Sequence, residues 1–182
     1  QHIMRMLTEE DFTKKTLIAI PTGAGKTRLV VETLVDWLNN QKQNSPEQQK
    51  NSKFLIFVEW RSTQDYLAEL LTKSGYSVTL FNGDMNLAER DESRERFRGE
   101  IQIMVSTSAG GYGMNFQFCS NVVNYDLPWN PMKIEQRVGR VHRIGQKNDV
   151  NIYNVAYEKT IDAYILTLLY TKIQLFNKII NY

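Results

Sequence analysis

Ser106-Thr-Ser-Ala-Gly-Gly-Tyr-Gly-Met-Asn-Phe116, then Tyr125-Asp-Leu-Pro-Trp-Asn-Pro131, then Gln136-Arg-Val-Gly-Arg-Val-His-Arg-Ile-Gly-Gln146 is the run that decides the reading of this chain. It joins a glycine-rich turn, an apolar strand ending in an acid, and a basic helix. Ile101 to Val105 is an apolar run that feeds the first block, and Asn121 to Tyr125 feeds the second. Asn130-Pro131 supplies an N-cap and a first helical residue, so the third block reads as a helix running to about His142. On such a helix Gln136, Arg140 and Arg143 stand at i, i+4 and i+7, on one face.

Working outward, the same alternation extends through the chain. Phe54 to Val58 reads as a buried strand, and Thr63 to Lys73 as a helix burying Tyr66, Leu67, Leu70 and Leu71. Val78 to Phe81 is a further strand and Leu87 to Arg98 a charged helix anchored by Phe97. Val150 to Val155 is a last strand, and Thr160 caps an expected C-terminal helix of about twenty residues. Strands alternating with helices predict an α/β fold, a central parallel sheet flanked by helices. Residues 39 to 52 are nearly free of apolar side chains and read as a linker or surface loop.

Before that linker, Thr16 to Ile20 is a short β-rich run, followed by Pro21-Thr-Gly-Ala-Gly-Lys-Thr27 and an amphipathic segment from Arg28 to Leu38. A glycine turn between strand and helix suits a phosphate-binding loop, whose amides point inward around an anion. Lys26 would reach the terminal phosphates, and the Thr27 hydroxyl would hold Mg²⁺. Thr22, Gly23, Ala24 and Gly25 complete the candidate nucleotide-binding set. A strict pattern asks for glycine where Ile20 stands.

Composition narrows the classes. With 182 residues, 42% hydrophobic and 23% charged, the chain is ordinary for a globular protein. One cysteine, Cys119, excludes an intrachain disulfide and suits a reducing intracellular setting, cytoplasmic or nuclear. The apolar stretch Ile161 to Ile180 is broken by Thr167, Thr171, Lys172, Gln174 and Lys178, so no membrane span is expected. Net charge is only +2, yet residues 131 to 147 hold five Lys or Arg against one Glu. That patch suits phosphates, of a nucleotide or of a nucleic-acid backbone.

Taken together, the three opening blocks resemble motifs V and VI of superfamily 2 helicases, and the Ala-Gly-Gly-x-Gly and His-Arg-Ile-Gly-Gln wording is similar to the Swi/Snf branch. Residues 21 to 27 resemble motif I. The resemblance implies a RecA-like lobe, of the P-loop NTPase type, over residues 53–182, joined by a linker (41–52) to a short βα unit (1–40) left from a first lobe. It implies ATP and Mg²⁺ as cofactors and nucleic acid as partner, DNA rather than RNA. By it Arg140 and Arg143 are arginine fingers, Gln136 helps to position the γ-phosphate, and Arg61, Thr107, Ser108, Gly110 and Gly111 contact the nucleic-acid backbone.

The family's Asp-Glu motif, which orients the metal and activates water, is missing from the sequence. Asp91-Glu92 lies in a charged helix; Glu59 and Asp126 each follow an apolar strand but match other motifs. A missing first lobe, supplied in cis or in trans, is therefore expected. The competing reading is a non-catalytic nucleic-acid- or partner-binding module derived from such a motor.

Overall fold

The computed structural model describes residues 4–7, 13–20, 32, 35, 36, 39, 53–108, 114–143, 145, 146, 148–157, 164, 165 and 167. Its elements are β1 (Met4–Leu7), β2 (Thr13–Ile20), β3 (Phe54–Val58), α1 (Arg61–Lys73), β4 (Val78–Phe81), α2 (Leu87–Arg98), β5 (Ile103–Thr107), β6 (Asn121–Asn124), α3 (Pro131–Val138) and β7 (Val150–Tyr157). They form one sheet in the order β1-β2-β7-β6-β3-β5-β4. The five strands β7-β6-β3-β5-β4 pair in parallel, and β2 joins them parallel to β7, with Thr13 opposite Val150. At the far edge β1 runs antiparallel to β2. The expected α/β architecture is observed.

Helices cover the sheet on both faces because the central strands are apolar on both. Along β3 the side chains alternate: Phe54, Ile56 and Val58 face one core with Leu67 and Leu71 of α1. Leu55 and Phe57 face the other, with Phe97 of α2, Phe116 and Val141. A strand buried on both sides reads as an unbroken apolar run, as β3 does. In α1 the burial is narrower than the sequence predicts. Leu67 and Leu71 are buried, Tyr66 and Leu70 are half-buried, and Gln64 is fully enclosed. The Gln64 amide is satisfied by donating to the carbonyls of Phe81 (3.1 Å) and Val105 (2.7 Å), which ties α1 to the end of β4 and the middle of β5.

Helix α2 starts at a full capping box: Asn86 accepts from the Glu89 amide at 3.0 Å and Glu89 accepts from the Asn86 amide at 2.7 Å. Before β3, residues 35 and 39 are helical; Val35 packs against the α1-side core and the Tyr76 hydroxyl donates to Asn39 at 2.6 Å. The first segment of the chain is thus joined to the sheet by side chains as well as by β2. The expected C-terminal helix falls largely outside the described residues; residues 164, 165 and 167 are helical. No helix among the described residues is long and apolar enough to cross a membrane.

Cys119 lies at 1% exposure, and burial pushes its thiol up to about 12. Burial likewise raises Tyr153 to about 12 and moves Tyr76 upward. All three are acids whose neutral form the fold favours. Their contribution to stability is present in full below the unfolded-state values and is lost as pH rises from those values toward the folded ones. Native protein at pH 8 is therefore expected to resist iodoacetamide and to be alkylated only once urea unfolds it, and urea midpoints should fall steadily above pH 9. Rapid alkylation of the native thiol would contradict the enclosed position.

Candidate nucleotide and nucleic-acid edge

In a parallel sheet the carboxyl ends of the strands lie on one edge, where ligands bind in open α/β folds. Here that edge gathers Glu59 after β3, Ser108 after β5, and Asp126 after β6, with α3 beside them. One side chain joins them. Arg137 of α3, 4% exposed, places Nη2 at 2.7 Å from Glu59 Oε1 and 2.9 Å from Ser108 Oγ. Its Nη1 donates to the Asp126 carbonyl at 2.8 Å and to Asn124 Oδ1 at 3.1 Å. The guanidinium carbon lies over the Phe57 ring, 5.3 Å from its centroid. Ser108 Oγ also donates to Glu59 Oε1 at 3.1 Å, and Asp126 Oδ2 accepts from the Glu59 amide at 2.8 Å.

Burial pushes the Arg137 guanidinium below its ordinary value, and the carboxylates of Glu59 and then Asp126 pull it back. It stays charged, because free guanidinium titrates far above neutrality. Lys133, one turn earlier on α3, is 3.7 Å from Glu59 Oε2. Glu59 and Asp126 are therefore committed within the protein, which leaves them ill-suited to a metal. Among the described residues no group of three or more His, Cys, Asp or Glu is placed to hold one.

The basic helix is shorter than its sequence pattern implies. Asn130 caps it as expected, accepting from the Met132 amide at 3.0 Å, with Pro131 as the first helical residue. It ends at Val138 rather than near His142. At Gly139 the backbone tightens: the amides of Arg140 and Val141 donate three residues back, at 3.2 and 2.9 Å. The tightening swings Val141 into the α2-side core at 0% exposure. Gln136, Arg140 and Arg143 consequently do not form one continuous helical stripe. Gln136 and Arg143 are exposed, Arg140 is half-buried, and Arg143 Nε donates to the Gly139 carbonyl at 2.9 Å.

Position 145 needs its glycine, with φ +97°, and beside it the Gln146 amide donates to the Arg143 carbonyl at 2.9 Å. Gln146 Nε2 then reaches the carbonyls of Gln117 (2.9 Å) and Val141 (3.1 Å), pinning the segment to the loop before β6.

Of the other candidates, Thr107 is the last residue of β5 and 5% exposed, while Ser108 joins the Arg137 cluster. Arg61 stands apart from that cluster. It opens α1 and pairs with Asp84 at 2.6 Å beside a cleft of about 570 Å³ between β4 and α2. Trp60 and Trp129 are 72% and 65% exposed and follow β3 and β6, which are neighbours in the sheet. Thr22, Gly23, Ala24, Gly25, Lys26, Thr27, Gly110 and Gly111 lie outside the described residues.

Sequence reasoning missed Arg137 as the centre of this edge, since the helical spacing drew attention to its neighbours. A signal was present: two acids, Glu59 and Asp126, each end an apolar strand and call for a buried cation.

The parallel sheet with this edge is that of a RecA-like lobe, and the model of the helicase conserved C-terminal domain matches residues 26–145; the chain belongs to that family. Among curated proteins it is similar to the uncharacterized ATP-dependent helicase YqhH of Bacillus subtilis (strain 168), 45% identical over 158 residues. That match covers 83% of this chain, which spans 28% of the relative's length. Among solved structures, the C-terminal part of the Fun30 ATPase domain superposes with TM-score 0.65 at 28% identity, covering 74% of this chain and 44% of that one. The C-terminal domain of the DEAD-box protein Dbp5 gives TM-score 0.66 at 24% identity, covering 79% and 78%, a likeness of fold.

Proposed function

We propose that this chain supplies the second lobe of an ATP-dependent translocase or helicase acting on DNA, with hydrolysis coupled to movement once a first lobe completes the enzyme. The observation that carries the reading is the basic segment Lys133 to Arg143, which leaves the carboxyl edge of the sheet with Gln136 and Arg143 exposed. In this reading Arg140 and Arg143 reach a nucleotide held across the cleft, and Gln136 orients its terminal phosphate. Planar, permanently charged guanidiniums suit charge that develops on a transferring phosphoryl group. The exposed Trp60 and Trp129 beside Arg61 and Lys133 give the same edge the aromatic and cationic character that single or splayed strands favour. Backbone contacts are assigned to Arg61, Thr107, Ser108, Gly110 and Gly111.

The proposed division is a βα unit over 1–40, a linker over 41–52 and the lobe over 53–182. Thr22 to Thr27 would cradle the phosphates, with Lys26 on the terminal ones and Thr27 on Mg²⁺. That half-site should confer weak ATP or ADP binding on the chain itself. Lys26→Ala is expected to abolish whatever affinity isothermal titration detects, and an unchanged affinity would remove the loop from the site. Preference for DNA is tested in parallel by competing duplex DNA against duplex RNA of the same sequence.

A further inference from the structure

Three loops leave neighbouring strand ends at the carboxyl edge, and they are far apart in the chain. Arg137 does, with four hydrogen bonds from its two Nη atoms to Glu59, Ser108, Asn124 and Asp126. Its 4% exposure and its enclosed Nε, which has no hydrogen-bond partner, mean that this guanidinium is not presented to a ligand. It cannot turn outward without giving up the whole set. On either side of it in the chain, Gln136 is exposed and Arg140 follows directly after the cap of α3. The far ends of its bonds are Ser108, which opens the glycine-rich loop, and Glu59, which precedes the Trp60-Arg61 start of α1.

We propose that Arg137 is a positioning residue, a latch through which occupancy at α3 and occupancy at the Ser108 and Trp60-Arg61 loops alter one another. The proposal rests on the reading of this edge as serving both a nucleotide and DNA. Both tips of the planar fork are bonded, Nη2 to Glu59 and Ser108 and Nη1 to Asn124 and Asp126, so the side chain holds all four partners in one geometry. Shifting α3 by a fraction of an ångström therefore strains the Ser108 and Glu59 bonds together. Such a coupling is reciprocal: nucleotide changes DNA affinity by the same factor as DNA changes nucleotide affinity.

The test uses the 182-residue chain. A fluorescent DNA duplex is titrated by anisotropy, with and without saturating Mg²⁺ and a non-hydrolysable ATP analogue. Wild type should show DNA affinities differing about 5-fold or more between the two conditions, the lower range of allosteric couplings. Arg137→Lys and Glu59→Gln should bring that ratio to nearly one, while affinity for each ligand alone stays close to that of wild type. Glu59 is part-exposed and glutamine keeps its shape, so this variant carries the test if Arg137→Lys fails to fold. A ratio retained in Glu59→Gln, or a loss of nucleotide affinity itself in folded Arg137→Lys, overturns the latch. Wild type that binds both ligands with no coupling also overturns it and leaves the functional reading standing. Wild type that binds neither ligand sinks that reading, and the latch with it.

Discussion

Replacing Arg140 or Arg143 by alanine, in a two-lobe protein whose first lobe supplies the metal-orienting acid, is expected to cut ATP hydrolysis by about 10³-fold or more. Nucleotide affinity should change little. The reason is that a finger acts on charge present mainly in the transition state, so its removal appears in kcat and leaves ground-state binding nearly intact. Lysine should rescue poorly, because a point charge cannot reproduce the planar fork. The two arginines are not equivalent in the lobe: Arg143 is exposed and anchored through Nε to Gly139, whereas Arg140 is half-buried and its carbonyl accepts from the Phe116 amide at 2.8 Å. Steady-state kinetics of the alanine and lysine variants, with DNA saturating, check the expectation. Normal turnover in both alanine variants would reduce this segment to a surface feature or a DNA contact.

The second large effect concerns the packing that carries Arg140. Phe116 is fully buried among Phe81, Phe97 and Phe118, with ring centroids at 5.8, 6.2 and 6.2 Å and interplanar angles of 89°, 67° and 75°. Edge-to-face contacts of this kind add to the area each ring removes from water. Phe116→Ala should cost about 3–5 kcal/mol, transfer and cavity terms together. Against a domain stability of about 5–15 kcal/mol, that is a large share. Phe116→Leu refills most of the space and should cost clearly less. Urea denaturation of the two variants separates them, and an alanine variant within about 1 kcal/mol of wild type would mean that the aromatic cluster collapses around the gap. The same substitution should disturb nucleotide chemistry in a complete enzyme, since the backbone bond to Arg140 begins at residue 116.

Much of the fold is legible in the sequence. The strands Phe54–Val58 and Val78–Phe81 and the helix Leu87–Arg98 have the boundaries their patterns predict. These segments are long enough in apolar character, or well enough capped, for local preference and tertiary packing to agree. Elements whose extents depend on partners were less legible. β2 begins at Thr13, three residues before its apolar run, because pairing with β7 carries Lys14 and Lys15 into the ladder. β1 pairs with β2 and, at four residues, is too short for its pattern to announce it. The basic helix stops at Val138 because Gly139 admits a tighter turn and Val141 gains burial by it, an exchange that helical periodicity does not record. Arg137 escaped notice for a related reason. Its partners lie 78 and 29 residues away, at Glu59 and Ser108, and separations of that length leave no mark on local spacing.

The strand order also sets a sequence of assembly. Thr13 and Val150 are register partners across 137 positions of chain, whereas β3, β4 and β5 close within a stretch of about fifty residues. Closing a longer loop loses more chain entropy, and non-local pairings form late. By that measure the β3-α1-β4-α2-β5 portion is expected to form ahead of the pairing of β2 with β7. The bonds among Glu59, Ser108, Asp126 and Arg137 involve neither β1 nor β2. The β1–β2 ribbon therefore joins a carboxyl edge whose bonds do not depend on it.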